Sequence, residues 1–270
     1  MIIQHNMQAM NANRMLGGIA TSQAKSTEKL SSGFRINRAA DDAAGLSISE
    51  KMRGQIRGLE QASTNAQDGI SLIQTAEGAL NEVHAMIQRI RELAVQSAND
   101  TNVSEDRSAL NQEVQQLLSE IDRVAEQTQF NTQNLLNGDF KDKKFHVGAN
   151  KDQVIDVEIA SMASGDIELG GVAIAEQGEA EDAIESADKA LKKVSDERSK
   201  LGAIQNRLEH TIANDDNTAE NLQAAESRIR DTDMAAEMVK YSKDNILQQA
   251  AQSMLAQANQ STQGILSVLQ

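Results

Sequence analysis

Leu59, Ala62, Ala66, Ile70, Ile73, Ala76, Leu80, Val83, Ile87, Ile90 and Ala94 follow one another at steps of three and four residues, with a mean of 3.5. That is the coiled-coil period rather than the 3.6 of a straight helix. At 1.5 Å per residue the stripe alone runs about 50 Å. Asn99–Asp100–Thr101–Asn102 closes it, and Ser104 stands where the N-cap of a second helix belongs. Leu110, Val114, Leu117, Ile121 and Val124 then resume the seam, so the short connection predicts a long antiparallel helical hairpin.

Between about 130 and 180 the period drops to two. Phe145 and Val147, then Ile155, Val157 and Ile159, alternate with polar residues around the turn-forming Gly148–Ala149–Asn150–Lys151–Asp152, which predicts a β-hairpin at about 143–160. The Gly- and acid-rich stretch from Gly165 to Glu181 reads as an exposed loop. Helical period returns with Ala183, Ala187, Ala190, Val194, Leu201, Ile204, Leu208 and Ile212, and Leu222, Ala225 and Ile229 extend it. Asn214–Asp215–Asp216–Asn217 either interrupts that helix or decorates it. At the far end Leu247, Ala251, Met254 and Ala258 form a stripe. Near the start Ala9, Ala12, Leu16 and Ile19 form another, with Ile3, Met7 and Met10 on a different face. A helix apolar on more than one face should meet more than one neighbour. The fold class predicted is mainly α, a long antiparallel coiled-coil or helical-bundle rod with one small β-hairpin.

Composition sharpens this picture. In 270 residues there is no Pro, Cys or Trp, and aromatic residues make up 2%. Long helices are therefore free of proline kinks, thiol chemistry is excluded, and an aromatic-lined pocket is disfavoured. The net charge of −14 argues against a nucleic-acid partner. Charge is also uneven: residues 1–60 carry a net +3, residues 151–190 a net −9, and Asn245–Gln270 no charge at all. Uncharged ends rich in Ala, Gln, Leu and Met are surfaces meant to be covered, with ordering coupled to association. No membrane-spanning run or Sec-type signal peptide is present.

The stretch LSSGFRINRAADDAAGLSISEKMRGQIRGL at 30–59, followed by NAQDGISLIQTAEGALNEV at 65–83, resembles the N-terminal conserved region of bacterial flagellin. KLGAIQNRLEHTI at 200–212, NLQAAESRIRDTDMAAEM at 221–238 and SMLAQANQSTQGILSVL at 253–269 resemble its C-terminal conserved region. The resemblance implies paired N- and C-terminal helices: an inner core domain at 1–40 plus 235–270, disordered in the monomer, and an outer helical domain with the hairpin at 41–234. The span 130–180 leaves no room for the large variable domains of many flagellins. The resemblance further implies a homopolymer in the extracellular flagellar filament, export through the flagellar type III apparatus, a chaperone on about 231–270, and filament cap and hook-junction proteins as neighbours. A hook–filament junction protein of the same family is the alternative reading, and a soluble coiled-coil adaptor a more distant one.

IQRIRELAVQSAN at 87–99 also resembles the flagellin segment read by host Toll-like receptor 5. The resemblance implies receptor contacts at Gln88, Arg89, Leu93 and Gln96, with Leu110 and Glu113 from the next helix. Residues 89, 93 and 96 are expected to share a face distinct from the 87/90/94 seam. Polymer contacts are expected at Arg35, Arg38, Asp41, Asp42, Lys51 and Arg53, between or within subunits, and at Leu247, Ala251, Met254 and Ala258. His5, His84, His146 and His210 are scattered, with no zinc-protease motif, and phosphate-binding glycine patterns are missing. No catalytic, cofactor or metal site is expected, and the acidic run at 176–188 reads as a solvated face.

Overall fold

A computed structural model describes the backbone over residues 5–268 and the side chains over residues 5–261. Five helices are described: α1 (Met7–Ser32), α2 (Ala43–Ser97), α3 (Ser104–Gln127), α4 (Gln177–Arg230) and α5 (Met234–Val268). Two antiparallel strand pairs lie between α3 and α4. One is a two-residue pair, β1 (Gln129–Phe130) with β2 (Gln133–Asn134), that the sequence did not signal; the other is the expected hairpin of β3 (Lys143–His146) and β4 (Val154–Val157). The mainly helical class, the single substantial hairpin and the pairing of the terminal helices are as the pattern and resemblance imply. The chain divides into two compact units, unit 1 being Met1–Gly54 with Asn221–Gln270 and unit 2 being Gln55–Glu220.

Unit 2 holds almost all of the core. Ten of the eleven predicted positions of α2 are buried: Leu59, Ala66, Ile73, Leu80, Ile87 and Ala94 alternate with Ala62, Ala76, Val83 and Ile90, while Ile70 is half-buried and Leu72 is buried instead. On α4 the same two rows hold Ala180, Ala187, Val194, Leu201 and Leu208, with Ala183 and Ala190. Ion pairs fix the direction of α4 against α2. Glu77 pairs with Arg198 at 3.5 Å and Arg91 with Asp188 at 2.7 Å, so the helices run antiparallel. The helix α4 is continuous through 214–217, so those residues decorate it, and Asp215 takes a buried seam position.

Three expectations need correction. The buried seam of α3 is Val114, Leu118, Ile121 and Ala125, while Leu117 and Val124 are half-buried; each pair of adjacent apolar residues offered two registers. Ser104 is the first helical residue of α3 and Val103 is the cap, with the Val103 amide donating to the Asp106 carboxylate at 3.4 Å. The stretch after Gly165 is not simply exposed, since Ile167, Leu169 and Ile174 are buried. Polar side chains hold it down. Asp122 accepts from the amide and hydroxyl of Ser164 at 2.8 and 3.0 Å, Asn111 accepts from the Ile174 amide at 3.1 Å, and Ser97 donates to the Ile174 carbonyl at 2.6 Å.

The hairpin is seated on α2 within unit 2. Phe145 faces Ile155 across the strands, and Asn65 of α2 donates to the His146 carbonyl at 3.1 Å. A side-chain carbon on Gly58 would lie 2.9 Å from the Ala149 methyl, and one on Gly69 would lie 3.1 Å from the Phe145 ring. Glycine at both sites lets the hairpin approach the helix closely.

Unit 1 pairs α1 with α5. The half-buried face of α1 is Ala9, Ala12, Leu16 and Ile19, as predicted, and Ser26 is fully buried. Its partner face on α5 runs through Tyr241, Asp244, Gln248, Ala251, Leu255 and Ala258. Ser22 donates to Asp244 at 2.7 Å and Asn6 donates to the Ala258 carbonyl at 2.9 Å, which makes the pair antiparallel. Asn6 also caps α1, and Gly33 ends it in the left-handed conformation (φ 77°) that glycine adopts without strain. The segments that follow α1 and α4 meet, with Arg35 donating its amide to the Arg230 carbonyl at 2.6 Å and Thr232 to the Gly33 carbonyl at 3.0 Å. Asp233 caps α5 by accepting from the amides of Ala235 and Ala236.

Candidate assembly and recognition surfaces

The two faces of α1 and α5 have different chemistry. Their mutual face mixes small and polar groups with the half-buried Leu16, Ile19, Tyr241 and Leu255, whereas the outward faces carry large apolar groups: Met7 is 71% exposed, Met254 61%, Val239 71% and Ile246 68%, with Met10, Met15, Met234, Met238 and Leu247 also exposed. Of the four residues expected on α5, Ala251 and Ala258 lie on the side packed toward α1, and Leu247 and Met254 face outward. Ile3 lies outside the described residues.

The charged residues expected at polymer contacts are mostly bonded within the chain. Arg38 pairs with Glu28 at 2.9 Å, Arg53 with Glu50 at 3.2 Å, and Arg35 donates to the Ile229 carbonyl. Asp41 accepts from the amides of Arg38 and Asn37, and these two bonds hold its carboxyl below the ordinary aspartate value. Asp42 accepts from the Gly45 amide at 2.8 Å in the first turn of α2. Lys51 is exposed and makes no ion pair among the described residues. Sequence reasoning missed the centre of this network. Arg230 pairs with Glu50 at 2.9 Å, lies 4.7 Å from the Phe34 ring centre, and approaches Glu226, which accepts from the buried Ser49 hydroxyl at 2.7 Å.

In unit 2, Gln88, Arg89, Gln96 and Glu113 are exposed and Leu110 is half-buried. Arg89 bridges Glu113 of α3 at 2.9 Å and Glu92 at 3.2 Å, and these carboxylates raise its already high pKa. The Gln88 side chain meets His84 Nε2 at 3.0 Å. Leu93 departs from expectation: it is 0% exposed and belongs to the core cluster rather than to an outward face with Arg89 and Gln96. The cause is the width of the buried stripe. The helix α2 ion-pairs with α3 on one side and with α4 on the other, so the position flanking Ala94 is covered as well.

Nothing in this arrangement resembles a reaction centre. The groove between the hairpin and α4 in unit 2, about 510 Å³, is lined by charged side chains such as Asp156, Glu158, Glu197, Lys200 and Arg207 beside Val157 and Ile204, with no Ser, Thr, Cys or His among its lining residues. Among the described residues no three metal-ligating side chains cluster, and no described helix is long and apolar enough to cross a membrane.

A mainly α-helical protein with one well-packed unit and one whose paired helices leave large apolar side chains exposed has the features of a self-assembling helical protein. The chain belongs to the bacterial flagellin family. The bacterial flagellin N-terminal helical region matches residues 3–141 and the C-terminal helical region residues 184–269. It is 58% identical to a flagellin of Halalkalibacterium halodurans over 100% of both chains, and 48% identical to the flagellin of Bacillus subtilis, again over 100% of both. It is 53% identical to the flagellar filament 33 kDa core protein of Treponema phagedenis over 100% of both. The crystal structure of Bacillus cereus flagellin is similar at a TM-score of 0.51 and 30% identity, covering 56% of this chain and 88% of that one. A putative flagellar hook-associated protein of Vibrio parahaemolyticus shares the fold at a TM-score of 0.61 and 14% identity, covering 71% of this chain and 100% of that one. The protein is therefore a structural component of the flagellar filament and not an enzyme.

Proposed function

We propose that the chain is a filament subunit serving swimming motility, that it polymerises chiefly through the outward faces of α1 and α5, and that it is exported by the flagellar type III apparatus. The observation that carries this reading is the row of exposed apolar side chains on two helices whose only fully buried side chains, among the described residues, are Ser26 and Asp244. Such a surface gains from burial about 25 cal/mol for each Å² removed from water. In this reading the inner domain comprises 1–40 and 235–270 and orders on assembly, and a flagellar export chaperone covers about 231–270 until then. Lys51, exposed and without an ion pair among the described residues, is free to contact a neighbour, and cap and hook-junction proteins meet the same end helices. The relatives named as flagellins and filament core proteins favour this reading over a junction protein.

Negative-stain electron microscopy of purified monomer, with and without sheared filament seeds, tests it. Long filaments of uniform width should grow from seeds. Deleting 245–270 should abolish growth while leaving unit 2 folded, and growth by that deletion variant would overturn the role assigned to α5.

Toll-like receptor 5 recognition of the monomer is a second part of the reading, supported by the exposed Gln88, Arg89, Gln96 and Glu113 beside the half-buried Leu110. Arg89 presents a planar donor fork already held in place by Glu113. Leu93 contributes from beneath this surface by holding α2 in place. An Arg89→Ala monomer should activate a receptor reporter cell much less than the parent; equal activation would remove the assignment.

A further inference from the structure

The methionines of this chain are partitioned by exposure. Met7, Met10, Met15, Met234, Met238 and Met254 are all exposed and all lie on α1 or α5, whereas Met162 of unit 2 is buried and Met52 and Met86 are half-buried. The chain has no Cys and no Trp, so these thioethers are its most readily oxidised side chains. Met15 and Met254 share one open groove of about 490 Å³ between α1 and α5, alongside Gln8, Asn11 and Gln257. Ala12 and Ala258 are the other apolar residues of that groove, and no charged side chain lines it.

From this we infer that the exposed thioethers of α1 and α5 form a modification site for two-electron oxidants of the hydroperoxide class, and that their oxidation reversibly blocks addition of the free subunit to a filament. In the step itself a sulfur lone pair attacks one peroxide oxygen and the O–O bond breaks. Sulfur is oxidised by two electrons to the sulfoxide, and the departing hydroxide takes up the remaining proton to leave as water. The product is a strongly polar acceptor where the surface was soft and apolar. A sulfoxide buried against a neighbouring subunit without a donor carries the cost of an unsatisfied polar group, and six sites multiply it. Once subunits have covered these faces, the same side chains are shielded. The free subunit is thus the sensitive form and the filament the protected one. This inference rests on the filament reading above, because it places the methionines in the contacts that polymerisation buries.

The experiment treats purified full-length monomer and, separately, preformed filaments with hydrogen peroxide, maps sulfoxides by peptide mass spectrometry, and then measures seeded growth. The six exposed methionines should oxidise well before Met162 in monomer, and oxidised monomer should grow severalfold more slowly. Incubation with methionine sulfoxide reductases acting on both sulfoxide epimers should restore growth. In filaments the six sites should react more slowly than in monomer. In a variant with all six replaced by Leu, which conserves volume closely, peroxide should leave the growth rate unchanged relative to that variant's own untreated rate. Unimpaired growth of oxidised wild-type monomer would overturn the inference, as would undiminished peroxide inhibition of the Leu variant. If untreated monomer fails to extend seeds, it is the filament reading that falls instead.

Discussion

Among the described residues the fold buries 35 hydrophobic side chains, and Ile36 is the single one of them in unit 1. Of the 13 large hydrophobic residues that stay exposed, 11 belong to unit 1 and only Val95 and Val103 to unit 2. Charge divides the same way: unit 1 carries 11 basic and 9 acidic side chains, unit 2 carries 15 and 31. Unit 2 spends its apolar surface on itself and presents a strongly acidic exterior that repels other copies. Unit 1 leaves its large apolar side chains exposed and is nearly neutral. The two halves of one helical protein thus differ in what they do with apolar surface, and the proposed filament contacts fall on the half that leaves it open.

Replacing one apolar side chain in each unit should separate those roles most sharply. Leu80→Ala removes a fully buried seam residue and should cost unit 2 about 3 kcal/mol, read as a lower thermal midpoint. Met254→Ala, at a site 61% exposed, should change monomer stability by under about 0.5 kcal/mol yet slow seeded growth severely. If Met254→Ala destabilises as much as Leu80→Ala, the contrast fails.

Next in size is the carboxylate inside unit 2. Asp215 occupies a buried seam position, its Oδ2 has no hydrogen-bond partner, and burial together with neighbouring Asp216 raises its pKa above the ordinary aspartate value. A raised carboxyl pKa means that the ionised form costs stability above that value, a cost relieved as pH falls through it. Asp215→Leu should therefore stabilise unit 2 by about 1–2 kcal/mol at neutral pH, measured by denaturant unfolding.

A smaller effect tests the hairpin seat. Gly58→Ala gains helix propensity but drives a methyl to within 2.9 Å of the Ala149 side chain and 3.1 Å of its Cα. The net loss should be about 1 kcal/mol, seen as faster amide exchange in β3 and β4 with α3 unchanged.

The smallest effect belongs to unit 1. The nearby Ser26 hydroxyl, which falls short of a full hydrogen bond, and the Lys240 ammonium at 3.3 Å lower the Glu237 carboxyl below its ordinary value of 4.5. A lowered carboxyl pKa contributes stability that is fully present above 4.5 and lost as pH falls through the folded value. Spin-label distances between α1 and α5 should hold at neutrality and broaden slightly once pH falls below the ordinary carboxylate range, while unit 2 keeps its structure.

The sequence carried the seam of α2 almost residue for residue, because steps of three and four over eleven positions admit only one face. It carried the inner face of α1 for the same reason. It misplaced the seam of α3, where Leu117–Leu118 and Val124–Ala125 each put two apolar groups side by side and only tertiary packing chooses between them. It missed the burial of Ile167, Leu169 and Ile174, since three apolar residues among glycines and acids have no period, and the polar groups that pin them come from α2 and α3. Of the surfaces, exposure at Arg89, Gln96 and Glu113 could be read in advance, whereas the coverage of Leu93 depended on how many neighbours α2 has. The bonds of Arg35, Arg38, Asp41 and Asp42 within the chain were invisible because each partner lies in a loop or on a helix whose rotation the sequence does not specify.

Asn6 reaches Ala258 across 252 positions of sequence. A ribosome finishes α1, α2, α3 and the hairpin long before it makes the helix that α1 pairs with. A chain released early, anywhere short of Met234, has no α5 and therefore no paired face to offer a neighbour. On the filament reading proposed above, pairing α1 with α5 would deny a chain stopping short of α5 the paired face that polymerisation uses, so such fragments would be left out of the filament.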